Sequence, residues 1–462
     1  MFQFFKLNDP FRIIGVVFFL LLWTILYLVF ADLPRTQLQM SWMLLGERLG
    51  DGLLFYRDLV DDTGPLSAGF FFLIDWIFGG SSLAYQIIGR ILIFIQVIYW
   101  NSALIRYRVF DENTFIPAIV LLSLFHISFD MLSLSPALLG STFVLFALSQ
   151  LFSQTILQKE SSEATLLIGI YGGLATGFHP IYIVFLPFLI IVGVTISGFS
   201  FRQLILSLIG YFTPVLLIVV YYFWSNGLED FLRIWPLSFT SETYQFHTFA
   251  TLGILFAFPL VLGFLGYFFG VLSKGASINQ QKQRQILFFW AIFAGLAIFI
   301  SRHHAALEMM VFLPLISYLI TAFFLGVKKK LPLQIGFWGL VILLPLGSWW
   351  FWAENRSLQS EYFLKESANP QWPGKSVLVL DSDLSLYQEH SMKGPFLNYY
   401  LSQELLEKER TFARKVQLFR MINKQMPEVV YDPHGDFGQL LSQFKELERK
   451  YKMEKTNVFI LK

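Results

Sequence analysis

The 462-residue sequence has no cysteine, which excludes disulfides, thiolate catalysis and Cys-ligated zinc or iron–sulfur centres. Charge is sparse: Asp, Glu, Lys and Arg together make up 14%, with a formal net charge of +2. A chain that binds nucleic acid through its overall charge is therefore excluded. No glycine-rich phosphate loop accompanies any strand-like run. Internal repeats and paired broken helices, the marks of many transporters, are also missing. What fills the chain is apolar: 55% hydrophobic residues, with 52 Phe, 19 Tyr and 12 Trp. That composition excludes a disordered chain and indicates a membrane protein.

The few charges are unevenly placed. Of the 66 charged residues, 26 lie in the last 88 positions. This divides the chain into a membrane domain, 1–352, a polar Pro-containing linker, 353–374, and a soluble domain, 375–462. Crossing the hydrocarbon core takes roughly 20 apolar residues, and on that measure about eleven spans are expected. They fall at 12–31, 83–104, 115–128, 136–157, 165–178, 181–197, 201–224, 248–272, 285–301, 306–327 and 331–352. The first has no small-residue cleavage site and reads as a retained anchor.

Basic short loops stay in the cytoplasm, which sets an orientation. Lys6 and Arg12 precede the first span. Every second loop after it is also basic: Arg106 and Arg108, Lys159, Arg202, Lys274 with Lys282 and Arg284, and Lys328 to Lys330. The amino terminus is thus expected in the cytoplasm and the soluble domain outside, with the chain in the cell (inner) membrane and the tail in the periplasm of a Gram-negative cell. Between the first two spans, 37–50 (QLQMSWMLLGERLG) has apolar residues on one helical face, and 66–78 (LSAGFFFLIDWIF) is short and carries Asp75. Both read as helices lying in the outer interface.

This order of elements resembles the GT-C superfamily of polyprenyl-phosphate-sugar-dependent glycosyltransferases. The stretch LLGERLGDGLLFYRDLVDDTGPLSAGFFFLIDWIFGGSSLAYQIIGR is similar to that family's first outer loop. IGIYGGLATGFHPIYIVFLPFLII resembles its Gly-Leu-Ala helix hairpin, with His179 where a Lys is common. YYFWSNGLEDFLRIW and SRHHAALEMMVFLPLISYL resemble its later outer segments. The resemblance implies a polytopic α-helical membrane protein with a small extracytoplasmic α/β C-terminal domain. It also implies an inverting transfer of sugar from a polyprenyl-phosphate carrier to an acceptor at the outer face. One position departs from the pattern. The family's acidic residue near the start of the first surface helix is usually taken as the catalytic base, and here the matching stretch is Arg35-Thr36-Gln37-Leu38-Gln39. Glutamine cannot accept a hydroxyl proton as a carboxylate does.

Glycosyl transfer needs a carboxylate to deprotonate the incoming hydroxyl and cations to stabilise the departing phosphate. The loop Tyr56-Arg57-Asp58-Leu59-Val60-Asp61-Asp62-Thr63-Gly64-Pro65 offers Asp58, Asp61 and Asp62 for the first role and Arg57 for the second. Its plainer reading is a solvated turn holding an Arg–Asp pair. Arg302, His303 and His304 form a cationic trio at a span end, suited to a polyprenyl phosphate. Glu308, one turn beyond His304, would suit a shared metal, but two ligands do not make a site. A divalent cation is therefore compatible with the sequence without a ligand cluster to hold it. Arg90 and Asp130 are ionisable groups in apolar surroundings, candidates because an isolated charge there is costly. Asp75 is a candidate partner for Arg90. His126 and His179 read first as packing residues.

In the soluble domain, 376–380 and 427–432 read as strands, with a helical stretch between them. A helix at 437–450 and a terminal strand at 457–461 complete a small α/β layer. Two functions stay open. One is the lipid-linked-sugar transferase, with membrane lipid, a polyprenyl-phosphate-linked sugar and an acceptor as partners. The other is a non-catalytic scaffold of the same fold that recruits envelope proteins. The outer-loop carboxylates favour the first, and Gln37 favours the second.

Overall fold

The computed structural model of the chain describes every residue except 1, 31–34, 158–161, 238, 240–244, 273–274, 302, 357–360, 366–371 and 408–411, and except the side chains of 156–157, 407 and 413–414. The chain divides into two compact units. One comprises Met1–Leu33, Leu83–Leu217 and His247–Asn355, and the other Pro34–Ser82, Ile218–Phe246 and Arg356–Lys462.

Among the described residues, eight helices are long and apolar enough to cross a membrane. They are Arg12–Phe30, Ser82–Arg106, Pro136–Thr155, Phe201–Trp224, Phe249–Leu272, Ile278–Ile300, Ala306–Gly326 and Lys330–Asn355. Where the other three spans are expected, the chain forms shorter pieces: helix Ile116–Leu124 with two 3₁₀ turns, helix Ser162–Phe178, and turn Pro180–Val184 followed by helix Phe185–Thr195. Ser128 is extended and Pro180 opens a 3₁₀ turn, so regular helix stops where these residues remove or redirect its hydrogen bonds. Large apolar side chains such as Phe18, Leu21, Ile25, Leu216 and Trp350 face outward. Soluble proteins rarely leave that much aliphatic and aromatic surface uncovered. The chain is a multi-pass membrane protein.

Lipid offers no hydrophobic drive for helices to associate, so close backbone packing must supply it. Helices Ser162–Phe178 and Phe201–Trp224 show this. A Cβ on Gly169 would lie 1.9 Å from the carbonyl oxygen of Ser207, and one on Gly173 would lie 2.1 Å from that of Tyr211. Polar residues tie other helices together. Gln96 donates to the Leu138 carbonyl, Ser141 and Thr142, and the indole of Trp290 donates to the Val311 carbonyl at 2.8 Å.

In the second unit, helix Gln37–Gly50 is N-capped by Thr36, whose hydroxyl accepts from the Gln39 N–H at 3.1 Å. Helix Pro65–Phe78 begins with Pro at its first position, where no N–H is needed. It buries Ala68, Phe71 and Ile74 and leaves Phe72, Leu73, Trp76, Ile77 and Phe78 exposed. The C-terminal sheet has four strands, β1 Val377–Val379, β2 Val429–Tyr431, β3 Tyr451–Lys455 and β4 Val458–Leu461, in the order β1-β2-β4-β3. β1 and β2 are parallel, with Leu378 opposite Val430, and the remaining pairings are antiparallel. The sequence reading contains no counterpart of β3. This edge strand, YKMEK, exposes all but Tyr451, so it carries no apolar alternation. The expected continuous helical stretch before β2 is divided into turn Leu384–Gln388 and helices Tyr399–Glu407 and Phe412–Lys424. Gly394, at φ 130°, and Pro395 stand between the turn and the first helix.

Candidate functional site

The acidic loop is wired into the second unit rather than solvated. Tyr56 adopts a left-handed backbone (φ 65°), buries its ring against Phe55, Tyr222 and Phe231, and donates its hydroxyl to the Thr63 carbonyl at 2.8 Å. Asp58 is buried. Its carboxylate accepts from the Leu54 N–H, the Arg57 guanidinium and the Lys424 ammonium, each at 2.9 Å. Gln425 donates to the Asp58 carbonyl at 2.6 Å and accepts from Arg48 at 2.9 Å. Arg57 also reaches the Ser225 carbonyl at 3.0 Å. Burial alone would raise the Asp58 pKa, but the Arg57, Leu54 and Lys424 hydrogen bonds hold it below the ordinary carboxylate range. Asp61 is also buried and accepts from the Thr63 N–H at 3.1 Å and the Ser41 hydroxyl at 3.4 Å. Asp62 is half-buried.

Gln37, at the position where the resembled family carries an acid, is fully employed. Its amide donates to the Phe363 carbonyl and to Asp383, each at 3.1 Å, and its amide oxygen accepts from the Leu384 N–H at 2.9 Å. Its backbone N–H bonds the Tyr362 carbonyl at 3.0 Å. Burial disfavours charge on Asp383, and the bonds from Lys365 (2.7 Å), Ser385 and Gln37 overcome this, lowering its pKa. A second acid at position 37 would face that carboxylate. Asp230 shows the opposite balance: burial pushes its pKa up to about 6 against the pull of Arg233.

In the first unit, three chain segments meet at their ends. Asp130 accepts from the Leu307 N–H at 3.0 Å. Glu308 is buried and accepts from the Ser301 hydroxyl and, at 3.2 Å, from the Ala305 N–H. His179 places Nε2 at 3.7 Å from Glu308 Oε1. His303 is within electrostatic range of Glu308. His304 adopts φ 46° and packs its ring on Phe249. Arg302 lies outside the described residues. The two carboxylates therefore pin the loop that carries His303 and His304.

Arg90 is buried, and its described partners are neutral: the Thr24 hydroxyl at 3.0 Å, the Gln86 carbonyl and side-chain amide, and the Leu132 carbonyl. Asp75 accepts from the Gly80 N–H at 2.8 Å. His126 packs among Phe19, Trp23 and Tyr27 with Nδ1 at 2.9 Å from the Leu122 carbonyl, a packing histidine as read from sequence. An apolar cavity of about 350 Å³ is lined by Ile127, Leu255, Phe258, Leu344, Ser348 and Phe351. Among the described residues, no group of three or more His, Asp or Glu is placed to hold a metal. Sequence reasoning passed over Asp130, His179 and Glu308 as a set because they lie far apart in the chain. Each stands at a predicted outward end of a span, which is the one signal that could have grouped them.

A bundle of membrane helices, two helices in the loop after the first span, and an α/β tail match the GT-C-like fold that the sequence resemblance implies. The chain is similar to ArnT from Cupriavidus metallidurans bound to undecaprenyl phosphate, with TM-score 0.53 over 83% of this chain and 86% of that one. It is likewise similar to the Archaeoglobus fulgidus oligosaccharyltransferase tethered with an acceptor peptide containing the NVT sequon via a disulfide bond. There the TM-score is 0.53 over 98% of this chain and 74% of that one. Identity is 11% in both comparisons, so the likeness is one of fold. No protein-family profile matches the sequence, and no curated protein matches it.

Proposed function

We propose that this chain transfers a sugar from a polyprenyl-phosphate carrier to an acceptor at the extracytoplasmic face of the membrane. The observation that carries the reading is the fold. Solved structures that share it over most of this chain hold undecaprenyl phosphate in one case and an acceptor peptide in the other. The apolar cavity beside Ile127 and Ser348 suits part of an isoprenoid chain. The phosphate falls to cationic groups, among which Arg57, Arg90, His303, His304 and Arg302 are the candidates. Asp58 and Asp61 hold the shape of the first outer loop, and Asp62 is its half-buried member. Gln37 supports the second reading, a scaffold that has kept the fold and lost the transfer, because its hydrogen bonds serve only to anchor the tail.

Deleting the encoding segment and restoring it on a plasmid separates the two. A transferase predicts that the deletion strain accumulates a polyprenyl-phosphate monosaccharide and lacks one sugar in a surface glycan. An unchanged glycan, with loss of an envelope protein complex instead, would favour the scaffold.

A further inference from the structure

His179 joins helix Ser162–Phe178 to the turn Pro180–Val184 in extended backbone, φ −141°. Two hydrogen bonds fix it: its N–H donates to the Ala175 carbonyl at 2.9 Å, and its carbonyl accepts from the Tyr182 N–H at 3.1 Å. The ring meets Tyr182 edge-on at 6.0 Å. Nε2 is buried and faces Glu308, while the side chain as a whole keeps 14% of its surface exposed. With Nε2 buried, that exposure belongs to the other atoms of the side chain. Glu308 is anchored from behind by Ser301 and the Ala305 N–H, which leaves Oε1 directed at the imidazole.

A carboxylate fixed behind one imidazole nitrogen favours the N–H there, leaves the lone pair on the other nitrogen, and stabilises the ring when it gains a proton. Histidine is the side chain whose ordinary range best matches proton transfer near neutral pH. We infer that His179, backed by Glu308, accepts the proton of the hydroxyl that attacks the sugar. This rests on the transferase reading above and supplies a base where Gln37 cannot. In that step the acceptor oxygen forms a bond to the anomeric carbon, and the bond from that carbon to the phosphate oxygen breaks with its electron pair leaving on the phosphate. The hydroxyl proton moves to Nδ1 of His179, and Glu308 balances the resulting charge. The other ionisable groups around the pair are His303 on the 301–305 loop, Asp130 behind Leu307, and Tyr182 on the histidine's own turn.

The test uses the full chain in proteoliposomes with a panel of undecaprenyl-phosphate monosaccharides, scoring donor consumption across pH, with undecaprenyl phosphate binding measured in parallel. His179→Gln is expected to lower turnover roughly 10²–10⁴-fold, the usual span of general acid–base catalysis, with KM and undecaprenyl phosphate binding within about twofold of wild type. Glu308→Gln, a positioning change, is expected to slow turnover less than His179→Gln, with KM unchanged and with Glu308→Asp restoring most of the lost rate. His179→Gln retaining more than about a tenth of wild-type turnover would overturn the inference while leaving the transferase reading intact. Wild-type turnover in Glu308→Gln would overturn the role of Glu308. Wild-type protein that binds undecaprenyl phosphate and consumes no donor would instead overturn the transferase reading, and with it this one.

Discussion

Asp58 braces the first outer loop through its bonds to Leu54, Arg57 and Lys424, and its removal has a calculable cost. Asp58→Ala strands the buried N–H of Leu54, which costs about 1–3 kcal/mol for an unsatisfied buried donor. The pairs to Arg57 and Lys424 add less, because those cations are 35% and 47% exposed, and exposed pairs contribute about 0–1 kcal/mol each. The total is about 1–5 kcal/mol. Asp58→Asn keeps an oxygen for Leu54 and loses only the charge, at about 1 kcal/mol. Urea-dependent proteolysis of the purified protein, followed at the second unit, should show the alanine midpoint falling by about 0.5–2.5 M at a slope of about 2 kcal/mol per M. The folded carboxyl has a lowered pKa, so its stabilisation is present above the ordinary carboxylate range and disappears as pH falls through the lower folded value. The acid-side loss of stability should therefore shrink in the alanine variant. An alanine variant with an unchanged midpoint and no transfer would refute the reasoning and make Asp58 part of the chemistry.

Other expectations follow from single contacts. Gly173→Leu should abolish accumulation of folded protein, because a Cβ there meets the Tyr211 carbonyl oxygen at 2.1 Å; yield on size-exclusion chromatography in detergent reports it. Gln37→Asp restores the acid of the resembled family but places it against Asp383, so it should lower the urea midpoint of the second unit and should not raise transfer. Asp230 holds a proton in the folded chain between about pH 4 and about 6 that the unfolded chain has released, so stability falls as pH rises through that window. Asp230→Asn should flatten that dependence and be the more stable protein at pH 7.5, as read by thermal unfolding across pH.

Much of the architecture was legible because lipid demands long apolar helices and basic loops mark their ends. Helix 37–50 was bounded from its apolar face, and helix 65–78 was placed within one residue. Strand β3 was not legible, since an exposed edge strand of alternating charge carries no burial signal. The site divides similarly. Asp58, Asp61 and Asp62 stood out as neighbours in sequence, yet their roles depend on Lys424 and Thr63, partners that no local pattern names. His179 and Glu308 are separated by 129 positions and meet at 3.7 Å, so only the tertiary structure pairs them. A lone histidine before a proline gives no hint of the carboxylate behind it.

The central claim is transfer from a lipid-linked sugar, and the most direct measurement is single-turnover chemistry with purified protein. Wild-type chain in proteoliposomes, mixed with radiolabelled undecaprenyl-phosphate monosaccharides and an extract of surface-glycan acceptors, should release undecaprenyl phosphate and move label to the acceptor at matching rates. Label that stays on the lipid with every donor, while the protein binds undecaprenyl phosphate normally, would contradict the account.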